Sequence, residues 1–432
     1  MNQLKEKISN LVDSSQDEIF GFIQKLVKTP SLPGKEQKAQ ELIAAKLNQL
    51  NLKVYKVQSV YEELRNHPAF YNDGFAAEER INIVGCWRAA ENIRHPIGKK
   101  GHSLILNGHI DVVTPGQEDL WEDSPWSGKI KDGKLFGRGS VDMKSGLASG
   151  IFAIQVLQKL GFKPRNNILI ESVVGEESGG IGTLTTLIKG YTADAAIIME
   201  PTQLNLCPVQ SGALTFRIKV SGKSVHACMK NKGVSAIEKF YYILKVINEL
   251  EKNRHLSYHN SIYEDHMNVA PVSIGTVKGG NWHSTVPDKL IAEGRFGVFP
   301  GESLEAAKKS LEEALKKTAE QDPWLKENPP VMELFEGQFE PGVTDLREPF
   351  LQVLINNHKN VTAKEIKIQG VTYGSDLRLF TNYGKIPAVL YGPGNVIDAH
   401  TVNEFISLEE VQTCIKVLAG TIYHWCGGEV KL

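Results

Sequence analysis

The sequence is poor in cysteine, nearly free of net charge and without a long hydrophobic run, and each shortage excludes a class of protein. Its 432 residues include five scattered cysteines that never form a C-x-x-C pair, so we expect neither a disulfide framework nor a cysteine zinc site. The 49 Lys and Arg residues nearly balance the 50 Asp and Glu residues, which argues against partners such as nucleic acid or an anionic membrane. No apolar run approaches the roughly 18 residues of a membrane span.

The remaining composition is that of an ordinary folded protein. Hydrophobic residues make up 41% of the chain and charged residues 23%, which is enough apolar material for a core. The first residues include Lys5, Glu6 and Lys7 and no apolar segment, so we expect no secretory signal there. A reducing cytoplasm is the expected location, and the length predicts two or three domains.

Both ends of the chain alternate short apolar runs with helical patterns, which predicts an α/β domain with a mostly parallel central sheet. The predicted buried strands are residues 81–87, 104–106, 168–174, 195–199 and 386–391. The predicted helices of this domain include residues 143–160, 348–358 and 408–423. Asp132-Gly133 between two short strand-like runs predicts a hairpin turn, because both residues accept positive φ.

The pattern changes between residues 211 and 337. This segment reads as strand, helix, strand, strand, helix, strand, which is the order of a ferredoxin-like βαββαβ unit. The predicted elements are residues 213–220, 235–250, 269–277, 290–298, 304–318 and 331–335. We therefore predict one α/β domain formed by residues 1–210 and 338–432, interrupted by a smaller domain at 211–337.

Acidic residues and histidines follow directly after the predicted buried strands. In open α/β sheets, ligand groups gather outside the carboxyl ends of the strands, so these side chains should converge although they are distant in sequence. The residues in these positions are His109, Asp111, Glu176, Glu177, Glu200, Asp398 and His400. Asp142 lies in a further segment, the glycine-rich residues 137–146, which match neither common phosphate-binding pattern.

Imidazole and carboxylate ligands without a thiolate favour zinc, cobalt or manganese. Five such ligands with one bridging carboxylate fit two metals better than one, and a pair of metals can acidify a water molecule. Glu176 is adjacent to Glu177 and points elsewhere, so one carboxylate can bind metal while the other accepts a proton. Asp111 can hydrogen-bond the far imidazole nitrogen of His109 and fix its tautomer.

Five segments, in order along nearly the whole chain, resemble motifs of the zinc amidohydrolase family that contains aminoacylase, acetylornithine deacetylase, succinyl-diaminopimelate desuccinylase and carboxypeptidase G. They are GHIDVV at 108–113, GRGSVDMKSG at 137–146, VVGEESGG at 173–180, IIMEPT at 197–202 and AHTVNEFI at 399–406. The resemblance implies that Asp142 bridges two metals. His109 and Glu200 would complete one site, and Glu177 and His400 the other.

The same resemblance implies that Glu176 is the general base, that Asp111 orients a ligand, and that the Asp142–Met143 peptide bond is cis. It also makes the inserted domain a lid and dimerisation domain. His226 in this domain matches a histidine that, in dimeric relatives, reaches the partner's site and stabilises the oxyanion.

Several residues bear on the substrate. Arg295 matches an arginine that binds a substrate carboxylate, and residues 374–378 resemble a substrate-side loop of the acetylornithine deacetylase branch. The substrate-binding candidates on that loop are Ser375, Asp376 and Arg378. Ser284 stands where many relatives carry Asn, a departure that concerns the substrate and leaves the metal chemistry untouched.

We therefore predict a cytosolic di-metal amidohydrolase that cleaves the amide bond of an N-acyl amino acid, most closely like acetylornithine deacetylase. A dipeptidase, a carboxypeptidase or a succinyl-diaminopimelate desuccinylase-like enzyme is the alternative within the family. A catalytically silent binding protein is the alternative outside it. The expected cofactors are two zinc ions, or cobalt or manganese in their place. The expected partners are a small N-acyl amino acid substrate and a second copy of the chain, joined through the lid.

Overall fold

The computed structural model describes residues 2–76, 80–89 and 102–429. The α-helices are α1 Asn2–Ser14, α2 Gln16–Val27, α3 Gln37–Gln49, α4 Tyr61–Leu64, α5 Ser145–Lys159, α6 Ile181–Ile188, α7 Ala236–Ser257, α8 Leu304–Gln321, α9 Pro323–Glu327, α10 Pro349–Thr362 and α11 Leu408–Cys426. The 3₁₀ turns are Glu118–Leu120, Ala227–Lys232, His266–Asn268 and Val396–Asp398.

The strands follow the same chain order. They are β1 Lys53–Gln58, β2 Ile81–Trp87, β3 Leu104–His109, β4 Lys129–Lys131, β5 Lys134–Phe136, β6 Lys163–Pro164, β7 Ile168–Val173, β8 Ala196–Ile198, β9 Leu206–Gln210, β10 Gly212–Ser221, β11 Val272–Gly279, β12 Lys289–Val298, β13 Val331–Leu334, β14 Gly342–Val343, β15 Ile368–Val371, β16 Ala388–Leu390, β17 Phe405–Ser407 and β18 Gly428–Glu429.

The chain forms two compact units. The first consists of Met1–Pro208, Thr344–Gln369 and Leu379–Leu432, and the second consists of Val209–Val343 and Gly370–Arg378. The short segment Gly370–Arg378, far along the chain, thus belongs with the inserted residues. In the part of the chain that the structure describes, no helix has both the length and the apolar character needed to span a bilayer.

The first unit is built on a mixed sheet with the strand order β1-β2-β7-β3-β8-β16. Its four central strands, β7, β3, β8 and β16, are parallel to one another, β2 pairs antiparallel with β7, and β1 pairs antiparallel with β2. Every residue of β3 and β7 is buried, as expected for parallel strands that are covered on both faces. The predicted α/β fold is confirmed, and the carboxyl ends of the four parallel strands lie at one edge.

Two local predictions for the first unit are also confirmed. Lys129–Lys131 and Lys134–Phe136 form the predicted hairpin, and Asp132 and Gly133 at its turn have φ of 51° and 72°. The long central helix is α5, whose residues from Ser145 to Leu157 are all buried. A helix that is apolar on every side is expected only where it is surrounded by other elements.

The second unit is a four-stranded antiparallel sheet with the order β11-β12-β10-β13, which is the ferredoxin-like arrangement predicted from the sequence. Along β10, Leu214, Phe216, Ile218 and Val220 alternate with half-buried polar residues, because one face of the sheet packs on the core. The core between this face and helices α7 and α8 includes Phe240, Ile243, Leu311 and Leu315.

Candidate metal centre

His109 is the last residue of β3, a strand that lies between two parallel neighbours. Its Nδ1 is 2.8 Å from the backbone carbonyl oxygen of Asp111, so this nitrogen carries the proton and donates it. Its Nε2 is therefore the nitrogen left to bind a metal, and it lies 2.9 Å from Asp142 Oδ1. The backbone of Asp111 thus fixes the imidazole, whereas its side-chain Oδ1 is 3.8 Å from the same Nδ1.

Asp142 faces two imidazoles, one with each carboxylate oxygen. Oδ1 lies 2.9 Å from His109 Nε2, and Oδ2 lies 3.4 Å from His400 Nε2. Asp142 belongs to the irregular segment Ser140–Lys144, and its peptide bond to Met143 is cis, as the resemblance implied. The buried carboxylate of Glu404 accepts the backbone N–H groups of Val141 at 2.9 Å and Asp142 at 3.3 Å, which holds this segment in place.

The remaining predicted ligands lie on either side of Asp142. Glu200, just after β8, has Oε1 3.8 Å from His109 Nε2. Glu177, after β7, has Oε1 3.0 Å from His400 Nε2. His400 follows β16, has a φ of 60° and exposes 51% of its side chain, so this imidazole forms the open side of the cluster. All five predicted ligands therefore meet at one edge of the sheet.

Glu176 lies beside the same cluster. It is buried, and one of its carboxylate oxygens lies within 4.8 Å of ligand atoms of both His109 and Glu200. The Asp111 carboxylate accepts the backbone N–H groups of Glu176 at 3.3 Å and Glu177 at 3.1 Å. Asp111 therefore has two contacts in this structure, because its carbonyl orients His109 while its carboxylate holds the acidic turn.

The electrostatics of the cluster reflect several acids gathered around two imidazoles. Burial alone would lower the pKa of His109, but the hydrogen bond with Asp142 and the nearby carboxylates raise this pKa well above its usual value. Hydrogen bonds with Asp142 and Glu177 raise the pKa of His400 to about 10. Burial raises the pKa of Glu177. Such a concentration of negative charge favours a cation at its centre.

The donor set and its spacing fit divalent cations. Two ligand atoms bound at about 2.1 Å to one metal, with roughly 90–110° between the bonds, lie about 3.0–3.4 Å apart. Separations of 2.9, 3.0 and 3.4 Å join the imidazole nitrogens to the carboxylates of Asp142 and Glu177, and 3.8 Å joins His109 to Glu200. Nitrogen and oxygen donors without thiolate suit zinc, manganese or cobalt. Two groups of side chains could therefore hold a metal. One is His109 with Asp142 and Glu177, and the other is His109 with Glu176 and Glu200.

The predicted site residues of the inserted segment, His226 and Arg295, lie in the second unit. His226 is exposed, and its Nδ1 accepts the backbone N–H of Cys228 at 3.2 Å. Arg295 on β12 donates to the backbone carbonyl of Thr372 at 3.1 Å. Among the residues that the structure describes, no carboxylate forms an ion pair with Arg295.

Residues 374–378 contact other residues of the second unit. Ser375 is buried and its hydroxyl donates to Gln210 Oε1 at 2.5 Å. Arg378 is buried in an ion pair with Glu340, and its guanidinium lies 5.0 Å from the centre of the Phe339 ring. Asp376 is buried as well. These contacts stabilise the loop itself, and the predicted substrate role of these residues remains a prediction.

The sequence reasoning missed Glu404 and its ion pair with Arg138, which together hold the Asp142 segment. Both residues lie inside motifs quoted above, but their pairing across 266 positions leaves no local signal. It also missed Arg80 and Asp73, which contact the turn carrying Glu176 and Glu177, and Glu36, which pairs with Arg80. A buried charge pair is visible only once the fold brings the partners together.

Imidazoles and carboxylates meet here at the strand ends of a mixed sheet. Such a site is typical of metal-dependent hydrolases. Peptidase family M20/M25/M40 matches residues 105–424 of the chain. The chain therefore belongs to this family, and it is a metal-dependent hydrolase of amide bonds.

Two curated relatives have different substrates in their names. The chain is 29% identical to an N-formyl-4-amino-5-aminomethyl-2-methylpyrimidine deformylase of Halalkalibacterium halodurans, over 98% of this chain and 97% of the relative. It is 26% identical to a probable succinyl-diaminopimelate desuccinylase of Staphylococcus epidermidis, over 73% of this chain and 81% of the relative.

Solved structures share the fold. The di-peptidase Dug1p from Saccharomyces cerevisiae superimposes with a TM-score of 0.76 at 16% identity, covering 99% of both chains. The YXEP protein of Bacillus subtilis, described as a dinuclear metal binding peptidase from the M20 family, gives a TM-score of 0.63 at 15% identity, covering 96% of this chain and 99% of that one.

Proposed function

We propose that this protein hydrolyses the amide bond of a small N-acylated amine that carries a carboxylate, in the manner of an acetylornithine deacetylase. The observation that carries the hydrolytic part is that Asp142 presents one oxygen to each of two imidazoles, with Glu176 beside them. In this proposal His109 and Glu200 hold one cation, Glu177 and His400 hold the other, and Asp142 contacts both. Zinc is the proposed metal, with cobalt or manganese as substitutes.

When bound, divalent cations at such a site acidify water and polarise a carbonyl group. Glu176 accepts a proton as the attacking water forms its bond to the acyl carbon. The same carboxyl group then delivers that proton to the amide nitrogen as the C–N bond breaks, so that a carboxylic acid and an amine leave. His226 donates a hydrogen bond to the oxyanion of the tetrahedral intermediate, in its own subunit or across a dimer.

The carboxylate on the substrate is proposed from Arg295. Arg295 is half-buried, and the one hydrogen bond of its guanidinium within the described residues goes to the carbonyl of Thr372. A partly buried guanidinium without an acidic partner is costly unless a ligand supplies the anion. An N-acyl amino acid brings such a group, and so does an N-succinyl substrate.

Replacing Arg295 by Met should raise KM for a carboxylate-bearing substrate by about 10- to 100-fold, because a charge-assisted hydrogen bond contributes roughly 1.5–3 kcal/mol. The value of kcat should change little, since the contact is made equally in the ground state and the transition state. Arg217→Met is the matched control, because Arg217 on the neighbouring strand pairs with Glu293. Steady-state kinetics decide, and an unchanged KM in Arg295→Met would remove the carboxylate from the proposal.

A second candidate is the deformylation of a formylated aminomethylpyrimidine. This candidate is favoured by the similarity to the Halalkalibacterium halodurans deformylase, which covers 98% of this chain. That substrate carries no carboxylate, so its turnover would not depend on Arg295.

The test is a substrate panel on metal-loaded enzyme, with metal content measured on the same sample. The panel contains N-acetyl-ornithine, N-succinyl-diaminopimelate, N-formyl-4-amino-5-aminomethyl-2-methylpyrimidine and dipeptides. Highest kcat/KM for an N-acyl amino acid supports the first candidate, and highest kcat/KM for the formylated pyrimidine supports the second. No hydrolysis of any compound by enzyme containing two metals would refute both.

We also propose that the predicted domain at 211–337 is a lid that mediates a homodimer, while residues 1–210 and 338–432 form the catalytic domain. On α7, Ile237, Tyr241 and Tyr242 are exposed large apolar side chains, and β11 is an edge strand of its sheet. An unpaired edge beside an exposed apolar helix face suits a second copy of the same surface.

Changing Tyr241 and Tyr242 together to Glu should convert a dimer into a monomer, because the new charges would be buried without partners in the interface. Light scattering during gel filtration gives the mass directly. Lys309→Glu on α8 is the control, since this exposed side chain changes charge without touching the apolar face. A double variant that keeps the mass of the parent protein would contradict an interface on this helix.

A further inference from the structure

Arg80 is a completely buried arginine at the entrance to β2. Its side chain is 0% exposed, and its guanidinium is held in ion pairs with Glu36 and Asp73. The ring of Phe75 lies 5.1 Å from the guanidinium carbon. A buried guanidinium is desolvated at a considerable free-energy cost, so a fold that keeps one must fix its position through several partners.

The same guanidinium contacts the turn after β7. Arg80 Nη2 donates to Ser178 Oγ at 3.3 Å, and Ser178 Oγ donates to Asp73 Oδ2 at 2.9 Å. Gly175 begins this turn with a φ of 69°, and a Cβ atom added there would collide with Arg80 Nη2. The guanidinium therefore packs directly against the backbone of Gly175 while its partner Asp73 anchors Ser178.

The turn between these two contacts, residues 175–178, carries Glu176 and Glu177. The Asp111 carboxylate accepts the backbone N–H groups of both glutamates. The turn is thus fixed from two directions, by Asp111 at its centre and by the Arg80 group at its two ends. Backbone hydrogen bonds from Gly179 to Glu176 and from Gly180 to Gly175, at 3.0 and 2.7 Å, close the turn.

We propose that Arg80, with Glu36 and Asp73, is a positioning residue for the turn 175–178 and sets the direction of the Glu176 carboxylate during proton transfer. This inference rests on the proposed role of Glu176 as the general base. Arg80, Glu36 and Asp73 all precede residue 105, where the match to the family begins. The bracing of the turn is therefore contributed by a part of the chain outside the matched segment.

The most informative change is Ser178→Ala. Replacing Arg80 itself leaves Glu36 and Asp73 buried without their cationic partner, which would destabilise the folded protein. Ser178→Ala removes the hydroxyl that joins the turn to Arg80 and Asp73, together with its longer contact of 3.4 Å to the Gly175 carbonyl, and both ion pairs of Arg80 remain. Ser178→Thr is the matched variant, because it keeps a hydroxyl at the same position.

We expect Ser178→Ala to lower kcat about tenfold, as is typical when a group that orients an active residue is lost. KM should stay within about twofold, because the substrate contacts are unaltered. Metal content should stay at two per chain by elemental analysis, and the melting temperature should be unchanged. Ser178→Thr should recover most of kcat.

Two results would overturn the proposal. One is a kcat for Ser178→Ala that equals the parent value. The other is a loss of kcat that accompanies loss of metal or of melting temperature, which would make the hydroxyl a structural group. Glu176→Gln is measured alongside. If that variant stays fully active, the proposed function has failed, whereas an inactive Glu176→Gln with an unaffected Ser178→Ala removes only the positioning role.

Discussion

Glu176→Gln should lower kcat by roughly a thousandfold or more, with two metals still bound per chain. The carboxylate lies beside His109 and Glu200 and is asked to accept and then return a proton, and a positioned acid–base group contributes about 10²–10⁴-fold to a rate. The amide of Gln has the same shape as the carboxylate of Glu but does not accept a proton near neutral pH. The measurement is kcat on the best substrate of the panel, with metal content determined by elemental analysis.

Glu177→Gln, one residue further, is the contrasting control. Glu177 faces His400 at 3.0 Å and is proposed as a ligand, so its loss should lower metal content together with kcat. The two neighbouring glutamates should therefore fail in different ways. If Glu176→Gln kept full activity, or lost metal in the same way as Glu177→Gln, its role as the proton acceptor would be wrong.

Asp142→Asn should lower both metal content and activity more than any other single change at a ligand. Asp142 presents one oxygen to the His109 side and one to the His400 side, and an amide offers a single oxygen. Removing the negative charge also leaves less to offset two divalent cations. We expect at most one metal per chain and a kcat lower by at least about a thousandfold.

Asp398→Asn is the matched control for Asp142→Asn. Asp398 lies two residues before His400, and the ion pairs of His400 within the described residues are with Asp142 and Glu177. It should keep two metals and nearly full activity. Two metals in Asp142→Asn, or equal losses in both variants, would show that Asp142 does not join the two sites.

The position of the ligands could be predicted because their placement is a property of the sheet. Buried runs of apolar residues identify parallel strands, and the residue types that follow them reveal which strand ends carry donors. His109 ends β3, and Glu200 follows β8, as the pattern indicated. The cis bond after Asp142 came instead from resemblance, since no pattern of residue types encodes it.

The strand and helix limits were less predictable. The predicted strand 269–277 begins only at Val272, because Pro271 supplies no N–H and Val269 and Ala270 pack in a separate cluster with Tyr263 and Phe299. The helix predicted to end near residue 250 continues as α7 to Ser257. Its last turns are mostly polar, so periodicity alone gave no reason to extend it.

The interactions that hold the ligands were beyond the sequence. Arg138 pairs with Glu404, and Arg80 pairs with Glu36 and Asp73, yet each charged residue by itself resembles an ordinary surface residue. Asp111 shows the same limit in a finer form. Its spacing from His109 predicted a contact with the imidazole, but the backbone carbonyl makes that contact while the carboxylate holds the neighbouring turn.

The most direct test of the metal centre is anomalous diffraction at the zinc absorption edge from crystals of the zinc-loaded protein. We predict two peaks about 3.5–4 Å apart, one next to His109 and Glu200 and one next to Glu177 and His400, with Asp142 between them. Active crystals with no anomalous peak at these residues, or with zinc only elsewhere, would contradict the account.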